Sequence, residues 1–234
     1  MEYDDIKEQQ KEEFEEGQEE ERNIGFQILR TIVALAVIVG FVYISGVYQY
    51  LFYQRTPSSV EQQQVESEID AQNMSVPLIV FVMLSDGPQG SERSEEDVRR
   101  LIENADRVWE QANIDLKIKD IIFLEQTEEE IGLLFIASSL FIQNIDEFDP
   151  FSINVFLLGN LNGLNGIAFG GLQTVAVADY TTVYDFRALA HEIGHVLDLG
   201  HIKEDTGRLM YQGANGFTLS LEEIMRARKA AEQF

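Results

Sequence analysis

The segment HEIGHVLDLGH, residues 191–201, constrains this chain more than any other part, because it holds all three histidines of the sequence. His191 and His195 are four residues apart, so on a helix their rings project from one face and can bind the same metal ion. Glu192 follows the first of them, where a carboxylate can take a proton from an activated water. His201 can join the pair only if the helix ends and the chain turns back. The segment therefore predicts a three-histidine metal site, and three imidazoles with an open position favour catalytic zinc.

An apolar stripe runs along the opposite side of the same segment. It predicts a helix that packs one side on a core and presents the imidazoles to a cleft, rather than incidental surface histidines. We expect Asp185 to cap this helix, and the turn before His201 to lie at Asp198 or Gly200, since Gly adopts positive φ freely and Asp tolerates it. The stripe consists of Phe186, Leu189, Ala190, Ile193 and Leu197.

HEIGHVLDLGH, followed by GRLMYQG, resembles the metzincin clan of zinc metallopeptidases, most closely its matrixin-like branch. The resemblance covers residues 185–213. It implies a single catalytic zinc ion, a general base and a methionine-containing turn that forms a hydrophobic floor beneath the metal. The residues that match these roles are His191, His195 and His201 as zinc ligands, Glu192 as the base and Met210 in the Met-turn.

Two positions bear on how close the resemblance is. Asp198 stands where the family has glycine, so the turn requires either an Asp in the left-handed conformation or a displacement to Gly200. Tyr211 directly follows the methionine, as in matrixins, whereas Gln212 takes the place of a tyrosine that binds zinc in some metzincins. The chain has no cysteine, which excludes a cysteine-based zinc site and the cysteine-switch latency of animal matrixins.

Residues 76–234 are predicted to form an α/β (α+β) domain. The resemblance implies a twisted mixed sheet above the cleft, with the zinc-binding helix, the Met-turn and a C-terminal helix completing the fold. The other elements follow from local patterns. In chain order they are a buried strand at 77–84, a helix capped by Ser94, a strand at 114–125, a helix within 127–145 (where the composition would equally allow a strand), a strand at 152–159, a loop at 160–171, a strand at 174–179 and a final helix capped by Ser220 and Glu223.

By resemblance, a protein or peptide substrate binds in extended form along an edge strand of the sheet. The segments 166–171 and 174–179 are both candidates for that strand. The loop at 160–171 is rich in Asn and Gly and could hold calcium through carbonyl groups, but an ordinary loop is favoured because it lacks paired carboxylates.

The N-terminal third of the chain predicts a membrane anchor. Residues 1–27 read as an acidic, disordered tail, 28–54 as a transmembrane helix and 55–75 as a flexible stalk. The uncharged span 31–54 is long enough to cross a hydrocarbon core of about 30 Å, and it fits a cleaved signal peptide poorly because it lacks a small-residue cleavage pattern. The distribution of basic residues favours a single-pass signal-anchor at the cell membrane, with the N-terminus cytoplasmic and the catalytic domain outside.

Together these features predict a membrane-anchored zinc endopeptidase. The net charge of −24 argues against a nucleic-acid partner, and so against an intracellular zinc protease acting near nucleic acid. An inactive domain that binds extracellular proteins remains the alternative from another class. The same peptidase in reversed topology, with its catalytic domain in the cytoplasm, is a further alternative. The sequence does not indicate an oligomeric state.

Overall fold

The computed structural model describes residues 72–234. The predicted acidic tail and membrane helix, and the predicted stalk as far as residue 71, lie outside the described residues. Within 72–234, no helix combines the length and the apolar character needed to cross a membrane. The first strand begins at Met74, so the end of the segment predicted as a stalk already belongs to the sheet.

The described chain contains both helices and strands, as predicted for an α/β domain. In order they are β1 (Met74–Leu84), α1 (Glu95–Trp109), a short 3-10 helix (Glu110–Ala112), β2 (Ile114–Glu125), α2 (Glu128–Ile136), α3 (Ser138–Gln143), β3 (Ile153–Leu158), β4 (Gly166–Phe169), β5 (Thr174–Ala178), α4 (Asp185–Val196) and α5 (Leu221–Ala231).

The five strands form one mixed sheet in the order β2-β1-β3-β5-β4. Neighbours among β2, β1, β3 and β5 run parallel, whereas β4 runs antiparallel to β5 at one edge. Parallel neighbours require crossover connections. Helix α1 lies in the connection between β1 and β2, and α2 and α3 lie in the connection between β2 and β3. The predicted mixed α/β sheet is confirmed.

Strand β1 shows why its sequence is an unbroken apolar run. Alternate side chains enter two different hydrophobic clusters, one shared with α1 and α4 and the other with α2 and α3. A strand that is buried on both faces has no solvent side and therefore no polar alternation. Leu78, Val80 and Val82 belong to the first cluster, and Ile79, Phe81 and Met83 belong to the second.

Capping residues set the helix starts as expected. Ser94 and Asp97 form a reciprocal capping box at α1, and Ser220 and Glu223 form one at α5. The helix predicted within 127–145 is also confirmed, although it is divided into α2 and α3 at Ala137, whose φ of −147° is not helical.

Two predictions about the edge of the sheet need correction. The loop predicted at 160–171 is wrong for its second half, because Gly166–Phe169 forms β4. The other interpretation of 166–171, as a candidate edge strand, agrees with the position of β4 at the edge of the sheet. The prediction of 174–179 as a candidate edge strand is also wrong. This segment forms β5, which lies inside the sheet between β3 and β4. Pairing with β5, in which Gly166 faces Val177 and Phe169 faces Thr174, organises a stretch too short and too rich in glycine to show a strand pattern of its own.

Asp149 links the chain before β3 to β2, and its charge should stabilise the fold in a pH-dependent way. Its carboxylate accepts hydrogen bonds from Lys119 Nζ at 2.6 Å, Ser152 Oγ at 2.6 Å and the Phe151 N–H at 2.9 Å. These donors, Lys119 first, lower the pKa of Asp149 from 3.8 to about 2. Because the folded pKa lies below the unfolded one, this stabilisation is complete above about pH 4–5 and is lost as the pH falls towards 2.

We therefore expect Asp149→Asn to lower the free energy of unfolding at pH 7, and the difference from wild type to shrink as the pH falls from about 4 to 2. Urea unfolding at several pH values measures this. An equal destabilisation at all of them would show that the charge of Asp149 is not responsible.

Candidate metal centre

Helix α4, which carries His191 and His195, starts differently from the prediction. The prediction that Asp185 caps this helix is wrong. Tyr184 occupies the N-cap without a side-chain hydrogen bond, and Asp185 is the first helical residue. The Asp185 carboxylate accepts hydrogen bonds from the Phe186 N–H at 2.8 Å and from Arg93 Nη1 at 3.0 Å. An acid in the first turn still interacts favourably with the helix dipole.

The C-terminal end of α4 reverses at Asp198. This residue has a φ of +63°, its N–H donates to the carbonyl of His195 at 3.2 Å, and the Leu199 N–H donates to that of Gly194 at 2.8 Å. These two bonds form a Schellman motif, in which the residue after the C-cap is left-handed. Of the two expected positions, Asp198 rather than Gly200 makes the turn, and it brings His201 back towards the other two rings.

The three histidines meet at their Nε2 atoms. His201 Nε2 lies 3.1 Å from that of His191 and 3.0 Å from that of His195. Tetrahedral ligands with Zn–N bonds of about 2.0–2.1 Å stand about 3.3–3.4 Å apart, so these separations are within a few tenths of an ångström of a zinc site. Among the described residues, this is the group of metal-ligating side chains that converges on one point.

Hydrogen bonds at Nδ1 fix the tautomers of two of the three rings. His191 Nδ1 lies 2.7 Å from the carbonyl of Leu209, and His195 Nδ1 lies 2.8 Å from that of Leu199. A carbonyl only accepts hydrogen bonds, so the proton of each ring is on Nδ1. The Nε2 atom of each neutral ring therefore carries a free lone pair. Hydrogen bonds of this kind are the usual support of metal-bound histidine.

This arrangement fits a cation at the point where the rings meet. His201 has at most one Nε2–H when neutral, and one hydrogen cannot point at both neighbours. At most one of the two short Nε2 contacts can therefore be a hydrogen bond, and a cation shared by the three rings would satisfy the Nε2 lone pairs that are left without a donor. Burial also disfavours protonation as the remedy, because desolvation lowers the pKa of His195 and His201 and lowers that of His191 to about 3.

Glu192 lies at the same site and is 8% exposed. Burial raises the pKa of its carboxyl to about 7, and the Arg187 guanidinium and the backbone N–H of Ala168 oppose that shift. A cation held by the histidines would oppose it further, since it favours the carboxylate form. A buried carboxyl beside an activated water is placed both to accept and to return a proton.

Glycine in the edge strand makes room for this carboxylate. A Cβ placed on Gly166 would lie 2.7 Å from Cγ and 3.0 Å from Oε1 of Glu192. Strand β4 therefore lies directly against the Glu192 side chain, and a side chain at Gly166 would have to displace it.

Met210, the residue predicted to form the Met-turn, packs against the helix that carries the histidines. It is fully buried, and a Cβ on Gly194 would come within 2.7 Å of its Sδ. The carbonyl of Met210 accepts a hydrogen bond from the Ile202 N–H at 3.1 Å. The turn thus contacts both α4 and the residue that follows His201.

Sequence reasoning missed two residues of the site. Arg187 is buried one turn before His191 and donates to carbonyls around Met210. Its position on the histidine side of α4 is a signal that could have identified it. Gly166 offers no such signal, because nothing in the surrounding stretch of Asn and Gly indicates a contact with Glu192.

Comparisons with known proteins give little at the level of sequence. No protein-family model matches this chain, and no curated protein does. A solved structure described as a chaperone–substrate complex is similar, with 15% identity, a TM-score of 0.45 and coverage of 69% of this chain and 36% of that one. Archaemetzincin from Methanopyrus kandleri is similar with 18% identity, a TM-score of 0.40 and coverage of 68% and 92%. At these TM-scores, function has to be inferred from the site itself.

The positive φ of Asp198 predicts a distinct order of tolerance at this position. A left-handed conformation costs an ordinary L-residue about 1–2 kcal/mol, whereas Gly adopts it freely and Asn and Asp tolerate it. We expect Asp198→Ala to lower the free energy of unfolding by about 1 kcal/mol, and Asp198→Gly or Asp198→Asn to lower it by less, as measured by urea denaturation.

Asp198→Asn also serves as the control for charge, since Asp198 pairs with Arg226 through a side chain that is 65% exposed. Exposed ion pairs contribute about 0–1 kcal/mol. Equal losses in the Asn and Ala variants would mean that the ion pair, and not the backbone conformation, decides the residue at this turn.

Proposed function

We propose that this protein is a zinc-dependent endopeptidase. The observation that carries the proposal is the convergence of three imidazole nitrogens, two of them fixed as lone-pair donors, beside the buried carboxyl of Glu192. His191, His195 and His201 would hold the ion, and Glu192 would be the general base. Three protein ligands leave a position open, which is the composition of a catalytic rather than a structural zinc site.

A zinc ion bound there would polarise the scissile carbonyl and make water a nucleophile at neutral pH. The chain supplies the remaining steps. Glu192 accepts the proton of the attacking water and returns it to the leaving amine, so the reaction needs no covalent intermediate. The carbonyls of Leu209 and Leu199 keep His191 and His195 oriented throughout.

Strand β4 is the feature that supports a peptide as the substrate. It ends the sheet on the side of Glu192, and an edge strand can add an extended peptide through main-chain hydrogen bonds. A peptide bound in this way would run past Glu192 in an extended conformation, with one scissile bond near the three histidines.

We also propose that the domain is anchored to the cell membrane through residues 31–54, with the N-terminus in the cytoplasm and residues 76–234 outside. The support is the uncharged span in the sequence and the basic residues that precede it. Selective labelling of each end of the chain in intact cells tests the orientation, and a cytoplasmic C-terminal domain would reverse it.

Metal content and turnover test the enzyme assignment together. We expect about one zinc per chain by elemental mass spectrometry, lost in His195→Ala and His201→Ala. Glu192→Gln should keep the metal and lose at least about 100-fold in turnover of a peptide library, because the amide cannot accept the proton of the attacking water.

The outcomes separate the two classes of function. Zinc binding without cleavage in the wild-type chain would favour a protein-binding module. Undiminished cleavage by Glu192→Gln would refute the role of Glu192, and a folded chain that binds no zinc when supplied with it would refute the enzyme altogether.

Gly166 provides a test of geometry that leaves every proposed ligand intact. Gly166→Ala should push the Glu192 carboxylate aside and lower kcat by about tenfold or more, since displacements of about 1 Å can cost 100-fold. Zinc content should not change. Gly170→Ala is the matched control, because a Cβ at Gly170 meets nothing within 4 Å. Equal kcat values for the two variants would show that β4 does not position the base.

A further inference from the structure

Arg187 is a buried cation whose place in the domain needs an explanation. It is 3% exposed, and it forms no ion pair with any carboxylate among residues 72–234. Burial lowers its pKa, and the only opposing influence is the charge of Glu192. Removing a guanidinium from water is costly unless its donors are satisfied, so the groups that receive its hydrogen bonds show what it does.

All three of the acceptors are backbone carbonyls around the Met-turn. Arg187 Nη2 donates to Leu209 O at 2.6 Å and to Tyr211 O, which lie on either side of Met210. Its Nε donates to Gly216 O at 3.2 Å. One planar guanidinium thus ties both ends of the segment 209–216 to α4, a geometry that a Lys ammonium cannot reproduce.

The carbonyl of Leu209 connects this clamp to the metal site. The same oxygen accepts the hydrogen bond from His191 Nδ1 at 2.7 Å. Arg187 and His191 are one helical turn apart and therefore share one acceptor. Whatever fixes the direction of that carbonyl also fixes the plane of the His191 ring and the direction of its Nε2 lone pair.

We propose that Arg187 is a positioning residue of the metal site, which holds the Met-turn against α4 and orients His191 through the carbonyl of Leu209. This rests on the proposed function insofar as it takes His191 to be a metal ligand. Arg187 touches neither the metal nor the substrate in this role. It acts on the metal through the direction of one imidazole.

The test compares two arginines of the same region in the full chain. Arg187→Met removes the clamp, while Arg208→Met removes a guanidinium that donates instead to Thr218 and Glu223. Each variant loses a guanidinium that donates hydrogen bonds near the Met-turn, but only Arg187→Met loses the hydrogen bond to the carbonyl of Leu209. Zinc dissociation constants from chelator competition and the visible spectrum of the cobalt-substituted protein are measured for each, with circular dichroism as the check on folding.

We expect Arg187→Met to weaken zinc binding by about 10- to 100-fold, the effect typical of groups that orient a metal-bound histidine, and to change the cobalt spectrum. Arg208→Met should stay within about threefold of wild type. Arg187→Lys should recover part of the affinity at most, and it decides the comparison if Arg187→Met does not fold.

If the folded Arg187 variants match Arg208→Met in zinc affinity and in cobalt spectrum, Arg187 does not position the metal site. That result would leave the proposed function intact. A wild-type chain that binds no zinc would overturn both the role of Arg187 and the proposed function.

Discussion

The left-handed conformation of Asp198 is the constraint on which the rest of this site depends. A helix can align His191 and His195, but it carries any later histidine away from them at about 100° per residue. The Schellman motif ends α4 just after the second histidine and turns the chain back, so that His201 approaches the other two rings. The same reversal places the carbonyl of Leu199 against His195 Nδ1. The positive φ of Asp198 thus brings the ring of His201 to the site and orients the ring of His195.

The Met-turn performs the corresponding task for the first ring. Three successive carbonyls, those of Leu209, Met210 and Tyr211, receive hydrogen bonds from parts of the chain that have to meet at the site. Their donors are Arg187 and His191 on α4 and the backbone of Ile202. Because Met210 is buried against Gly194, the side chain and the backbone of this turn both hold α4 in place. The turn is therefore structural support for the rings and contributes none of the converging nitrogens.

Much of the fold was predictable because local patterns agree with the burial they produce. The doubly buried β1 reads as an unbroken apolar run, and capping boxes mark the starts of α1, α2 and α5. The errors arose where the pattern is weak. Strand β4 is four residues long and lies among Asn and Gly, so its pairing with β5 defines it more clearly than its own sequence pattern does. Tyr184 takes the N-cap of α4 without a side-chain hydrogen bond, and the carboxylate of Asp185, the expected cap, forms an ion pair with Arg93 instead.

By itself, the sequence determined the residue types and spacings of the site: two histidines one helical turn apart, a carboxylate beside the first, and an Asp able to adopt positive φ before the third. These are properties of neighbouring residues, and local geometry is enough to interpret them. Only the tertiary structure decided that Arg187 and His191 share the carbonyl of Leu209 and that Gly166 leaves room for Glu192. Those contacts join residues that are 18 or more positions apart in the chain. No local pattern records which backbone groups the packing of the fold brings within hydrogen-bond distance.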